Sequence, residues 1–559
     1  MGARCRLSRR ERQLLIAPAC VGRALATSLL SAPTAAPRRK DVADCVLCRA
    51  FLAVAFPIRT AFQELETPDD SAEGREEKTL FDEHHQPRST GSMKNTPRQE
   101  LLSLAKQWEL KPNTIEFARR LDSEDPLRLF RERFSVPKMA DVSVVDPKFI
   151  KEPGQECIYL CGHSLGLKPR TADDHVLKVL DNWGKTGAEC HQHGYLPAAT
   201  CDLYPRKLMA DIVGADPDEI VFMNGLTVNL HLLMMTYYRP QGKRCKMVIE
   251  SYAFPSDMYA AQSQVAHHGL DVASNLLILR PRQGEQLLRE EDIYELIEKD
   301  GDSIALLLLP GVQYYTGQVF DVPGITTAAR KKGCIILWDM AHAVCNIQLK
   351  LNEWDVDIAA WCTYKYMNSG PGSIGVAYIS HKFRKACERL PELRGWWGNN
   401  IETKFLMRPE FDPCLSADVF KLSNGPPLLV ATVMASLEMF AELKESDRLH
   451  KQHLLTGYFE LLMIDELGAS HDITDRTRPF HILTPSDTTK RGSQLSIHLA
   501  EEPKFTHQEL QRRGILCDLR MPSVVRLAPM PLYNTYEDVY KCIQALKEIC
   551  ASFPVKKAS

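Results

Sequence analysis

From about residue 220 onward, short runs of β-branched and aliphatic residues alternate with longer stretches whose apolar positions recur at helical spacing. That alternation predicts an α/β fold with a mostly parallel sheet covered by helices, because strands buried on both faces are apolar throughout while each covering helix is apolar on one side. The predicted strands are Glu219–Met223, Lys246–Ser251, Ile304–Leu309, Cys334–Trp338 and Ile358–Thr363. Farther along, Leu429–Leu443 carries an apolar stripe at helical spacing, strand-like runs follow, and Tyr536–Ile549 closes the pattern as another helix. The chain thus divides into a helical segment over 93–165, a large domain over 166–392 and a smaller α+β domain over 393–559.

The first 92 residues break this pattern. Between Met1 and Arg59 about eleven Arg and Lys stand against about three acids, with Ala, Ser and Leu between them, a composition that resembles a transit peptide. From about Glu64 to Arg98 the chain is charged and polar with Ser, Gly and Pro, as in a disordered linker. Met93 stands just before the first helical pattern, so residues 1–92 are expected to be disordered or absent from the mature protein. Cys45 and Cys48 form a lone pair without a second pair or a histidine nearby, and no metal is expected there or elsewhere.

A formal net charge of −2 with 25% charged residues asks for neither nucleic acid nor an anionic membrane. Apolar runs such as Phe51 to Ile58 and Ile304 to Pro310 fall short of the roughly 18 residues that a membrane span needs. Seventeen cysteines, odd in number and irregular in spacing, suit reduced thiols in the cytoplasm, with the mitochondrion second because of the basic N-terminus.

Ligands of open α/β sheets bind at the carboxyl ends of the strands, and the polar and aromatic residues cluster there. The segments in question are Asn224–Asn229, Tyr252–Asp257, Pro310–Gly317, Asp339–Ala343 and Tyr364–Gly372. Asp339 directly follows one predicted strand and Lys365 nearly follows another. A buried carboxylate and a buried ammonium each need a partner, and pyridoxal phosphate supplies both: its ring nitrogen pairs with an acid and its aldehyde condenses with an amine. A structural ion pair is the bland alternative for any such couple taken alone. Around it, Thr227 opens a helix after a strand, where backbone N–H groups can hold a phosphate. Phe254 could stack on the pyridine ring, and the glycines of Asn368–Gly375 permit close backbone approach. Neither a Gly-rich dinucleotide fingerprint nor a phosphate-binding loop of the Walker kind occurs at a strand-to-helix junction.

The segments GHSLGL, GLTVNLHLLM, YAFPSD, YYTGQ, WDMAHAV, YKYMNSGPG, GWWG and RLAPMPLYN, in that order, resemble the motifs of the kynureninase family from about Arg98 to Phe553. The resemblance implies a fold-type I pyridoxal-phosphate enzyme, a homodimer, that hydrolyses kynurenine or 3-hydroxykynurenine to alanine and anthranilate or 3-hydroxyanthranilate. It implies further that Leu226 and Thr227 contact the cofactor phosphate and that Phe254, Pro255, Ser256 and Asp257 line the cofactor. Pro310 joins that lining, Asp339 and His342 sit at the ring, Lys365 bonds the aldehyde, and Tyr364 reaches the phosphate and assists proton transfer. Trp396 and Asn424 complete the cofactor site across the dimer interface. Ser164, His191 and Asn424 approach the substrate, and Arg526 grips its α-carboxylate, a task suited to a bidentate guanidinium.

Three positions depart from the family pattern: Pro310 replaces serine, His163 replaces asparagine, and Tyr195–Ala199 lacks a tryptophan after its proline. Two other readings share Asp339 and Lys365. One is a different fold-type I activity, such as a cysteine desulfurase or an aminotransferase, although Cys345 and Cys362 lie in or beside predicted strands and are read as packing residues. The other is a catalytically impaired homologue that serves as a binding protein.

Overall fold

The computed structural model describes residues 96–386, 393–500 and 502–552, so the extension expected over residues 1–92 lies outside them. Seven strands build the larger sheet: β1 (Ile220–Phe222), β2 (Lys246–Glu250), β3 (Leu276–Leu279), β4 (Ile304–Pro310), β5 (Ile335–Asp339), β6 (Ile358–Trp361) and β7 (Val376–Ile379). Five of them match predicted strands. β3 and β7 add to these, each an apolar run of four residues, too short for periodicity to separate strand from helix.

Their order across the sheet is β1-β7-β6-β5-β4-β2-β3. All run parallel except β7, which pairs antiparallel with β1 and with β6. Successive side chains of a strand point to opposite faces, and here both faces are covered. Phe222, Val248, Leu307, Ile336, Trp338 and Trp361 enter a core on one side, while Val221, Ile249, Leu306, Leu308, Leu337 and Ala360 enter a core on the other. Two-sided burial is the physical reason these strands read as unbroken apolar runs.

A second, antiparallel sheet consists of β8 (Phe480–Ile482), β9 (Leu495–Leu499), β10 (Asp518–Arg520) and β11 (Val524–Leu527), in the order β8-β9-β11-β10. Helices Glu445–Leu467 and Tyr536–Ala551 pack on it. So do the N-terminal helices Pro97–Trp108 and Ile115–Glu124, through Leu101, Phe117 and Leu121. Both N-terminal helices begin at a threonine, Thr96 or Thr114, whose hydroxyl accepts a backbone N–H of the first turn.

Helix Pro427–Ala441 behaves differently from its neighbours in sequence. Its stripe was grouped with the C-terminal domain, yet Val430, Val433 and Leu437 are buried in the core of the larger sheet. An apolar stripe shows that a helix must pack, but does not specify which sheet receives it.

Candidate active site

A cavity of about 260 Å3 opens at the carboxyl ends of β1, β2, β4 and β5 and at the loop after β6. It brings together Leu226, Thr227, Phe254, Ser256, Asp257, Pro310, Asp339, His342, Tyr364 and Lys365. This is the crevice that open parallel sheets offer to ligands.

Asp339 is the last residue of β5, in register with Ala360 of the adjacent parallel strand β6. Its Oδ1 accepts the Ala341 N–H at 2.8 Å, which fixes the carboxylate at the strand end. Lys365 lies just beyond β6, and its ammonium sits 5.8 Å from the centre of the Phe254 ring and 6.0 Å from that of Tyr364. The loop that carries it is closed by Thr363, which donates its hydroxyl to Ile374 O at 2.7 Å, and by Ser369 N–H, which donates to Thr363 O at 3.1 Å. Asn368, Gly370 and Gly372 take φ values of +60°, +91° and +68°. These left-handed residues are what the sequence NSGPG provides.

The acidic side chains at the cavity are not independent. Asp257 is buried, and burial followed by the neighbouring charge of Asp339, to which it is hydrogen-bonded, raises its pKa well above the carboxylate range. Burial also pushes Glu250 up to about 8, against the Gln313 amide that bonds it at 3.2 Å. Glu250 is thus an uncharged acid near neutral pH, and Asp257 holds its proton to higher pH than a free carboxylate does. His342 is held well below its ordinary pKa by burial and by the Lys365 ammonium, and its Nδ1 has no partner among the described residues. The Tyr364 hydroxyl is raised by burial and by Cys362.

Two helices begin at the cavity. Leu226–Tyr237 starts after Gly225 and Pro255–His267 starts after Phe254, and neither cap supplies a side-chain hydrogen bond to its helix. Free first-turn N–H groups favour an anion, although in the second helix Pro255 has none and the Asp257 N–H donates to Phe254 O at 2.9 Å. Thr227 Oγ1 and Ser256 Oγ, one from each helix, are hydrogen-bonded at 2.5 Å, which leaves one of the two hydroxyls free to donate to a ligand.

This donor set fits pyridoxal 5'-phosphate. An amine and a carboxylate issue from neighbouring strands, paired helix starts with hydroxyls can hold the phosphate, and Phe254 and His342 flank the space for a ring. Glu250, Gln313, Tyr314 and Ser373 belong to the same site but were not singled out from the sequence. The signal for Glu250 was present, since it is an acid at the end of a buried parallel strand, as Asp339 is.

Arg526 does not line this cavity, but its guanidinium lies 5.7 Å from the ring of Tyr314, which does, and its Nη1 donates to Tyr314 O at 2.8 Å. It is fully buried and paired with Asp518, its cross-strand neighbour between β10 and β11. Ser164 and His191 are exposed, the latter ending the short 3-10 turn Gly187–His191. Pro255 occupies the first turn of its helix, exposed. Trp396 is also exposed; it packs on Trp397 and Phe405, and its indole donates to Lys404 O at 3.0 Å. Asn424 has a buried Oδ1 with no partner among the described residues. None of these five is brought to the cavity within one chain. Cys345 and Cys362, the thiols weighed for sulfur chemistry, are buried, and burial pushes Cys345 up to about 12 and Cys362 above its usual value.

Sheet order and site together define a pyridoxal-phosphate-dependent enzyme of the class-V aminotransferase fold. The family model described as Aminotransferase class-V matches residues 187–404, and that described as Kynureninase C-terminal domain matches residues 450–546. Among solved structures, a cysteine desulfurase from Escherichia coli aligns with a TM-score of 0.57 at 19% identity, covering 76% of this chain and 98% of that one. At that identity the likeness shows the fold alone. Kynureninase from Nematostella vectensis is 44% identical over 80% of this chain and 97% of its own length. Kynureninase from Homo sapiens is 42% identical over 82% and 98%. The chain belongs to the kynureninase family.

Proposed function

We infer that the cavity around Lys365 is where this kynureninase-family hydrolase cleaves the Cβ–Cγ bond of L-kynurenine and 3-hydroxy-L-kynurenine, yielding L-alanine and anthranilate or 3-hydroxyanthranilate. The observation that carries the reading is that Asp339, at the end of one strand, and Lys365, in the loop after the adjacent parallel strand, line one cavity together with the starts of two helices that lack side-chain caps. When bound, pyridoxal phosphate supplies an electron-withdrawing ring that accepts charge from the substrate.

The chain's own residues do the rest. Asp339 would pair with the ring nitrogen, and the raised pKa values of Asp257 and Glu250 limit further negative charge beside it. Thr227, Ser256 and the first-turn N–H groups hold the phosphate. Lys365 would hold the cofactor through its side-chain amine, and that amine, once free, would be the base placed to take a proton from the substrate α-carbon. Tyr364, whose raised pKa keeps its phenol protonated, can deliver a proton beside it. Arg526 receives the α-carboxylate. Water then adds at the γ-carbonyl and the carbon–carbon bond breaks.

A second copy of the chain fits the site's outer side. Tyr204, Val228, Tyr252, Tyr259, Leu406 and Leu415 are large apolar residues left exposed, several of them beside the cavity lining. Such a surface is expected to be covered, and a homodimer would let Trp396, Asn424 and His191 reach a neighbouring site. A cytoplasmic location, with the mitochondrion second, is supported by the described cysteines, which are free thiols. Among the described residues no helix is long and apolar enough to cross a membrane.

The deciding assay incubates purified chain and pyridoxal phosphate with L-kynurenine and measures alanine and anthranilate. Equimolar release by the wild type, with loss of release and of the cofactor's lysine-bound visible absorbance in Lys365→Ala, supports the reading. Full turnover by Lys365→Ala would overturn it.

A further inference from the structure

His163 is fully buried, and among the described residues neither ring nitrogen has a hydrogen-bond partner. Nearby polar groups do not satisfy it. The Leu160 carbonyl interacts with the ring but does not meet hydrogen-bond geometry, and the closest Asp518 oxygen stands 3.9 Å from Nε2. Burial first, then the positive charges of Arg526, Arg520 and Lys365, keep the imidazole uncharged. A buried ring with two unsatisfied nitrogens is unfavourable unless something else enters to bond it.

The position of the ring narrows what that is. Its loop is fastened to the lysine loop, because Gly166 donates its N–H to Tyr364 O at 2.8 Å. On the other side stands the Asp518–Arg526 cross-strand pair. His163 therefore lies close enough to both Lys365 and the Arg526 guanidinium to feel their charges. The charges there are unbalanced as well. Arg520 and Arg526 share the single carboxylate of Asp518, and the Nε atoms of both have no partner. One additional carboxylate would neutralise the group.

We propose that His163 is a substrate-binding residue, donating a ring N–H to the α-carboxylate of the amino-acid substrate while Arg526 holds the same group. The choice of an amino acid as ligand rests on the function proposed above. A neutral imidazole has one donor and one acceptor, so it can hold a carboxylate oxygen without adding a charge beside Lys365.

The two products separate this role from a packing role, because L-alanine carries the α-carboxylate and anthranilate carries the aromatic end. Binding of each to the holoenzyme is measured by calorimetry for the wild type, His163→Ala and His163→Asn. Loss of a hydrogen bond to a charged group should weaken L-alanine about tenfold in His163→Ala. Anthranilate should stay within about twofold, and His163→Asn, whose amide still donates, should recover most of the loss. In turnover, KM for L-kynurenine should rise by a similar factor with a smaller change in kcat. His163→Leu, which fills more of the space, repeats the test if the alanine variant does not fold. Unchanged L-alanine affinity, or equal weakening of both products, overturns the proposal. If the wild type releases no alanine from L-kynurenine, the functional reading fails separately, and L-alanine binding still reports on His163.

Discussion

Gly166 donates its backbone N–H to the carbonyl of Tyr364 at 2.8 Å, joining the loop of His163 and Ser164 to the loop of Lys365. The contact is possible because position 166 has no side chain. A Cβ there would collide with the Lys365 carbonyl and the Asn368 side chain and would lie 2.8 Å from the Asn368 Cα.

Gly166→Ala should therefore displace the lysine loop without unfolding the chain. Overpacking of this kind costs about 1–3 kcal/mol of stability. A displacement of about 1 Å at a reacting group can cost roughly 100-fold in rate. Urea unfolding and kcat measured side by side check it; a variant with wild-type kcat would show that the two loops move independently.

Asp339→Ala removes the acid that faces the cofactor ring. Turnover should fall by roughly 100-fold or more, the scale of a lost proton-holding group, and cofactor affinity should drop with it. Titration of the apoprotein with pyridoxal phosphate, followed by visible absorbance, reads the affinity, and alanine release reads the rate. Near-normal values for both would remove Asp339 from the site.

Glu250 gives a pH signature. Its folded pKa of about 8 lies above the ordinary 4.5, so between those values the folded protein keeps a proton that the unfolded chain has lost. Stability should then fall as pH rises from about 4.5 to about 8 and level off above, by an amount on the order of a few kcal/mol. Glu250→Gln keeps a neutral hydrogen-bonding side chain and should remove that slope. In cofactor-free protein, melting temperatures at pH 6 and pH 9 should converge in the variant but differ in the wild type.

Sequence alone determined what each strand had to be. Ile304–Leu309 and Ile358–Ala360 contain no polar residue, so burial on both faces was already written in them, and Asp339 and Lys365 stood out because they follow such runs. Motif resemblance gave the family, and the comparisons agree with it. The tertiary structure decided what lies far apart along the chain. Helix Pro427–Ala441 packs on the larger sheet because Val430 and Val433 meet a core assembled by strands far earlier in the chain. The pairing of Asp518 with Arg526 depends on antiparallel register, and the pKa of Asp257 rises only where the fold buries it beside Asp339. Local sequence fixes the chemistry that a residue can offer; the free energy of burial and charge that selects its protonation and partners exists only once the chain has closed around it.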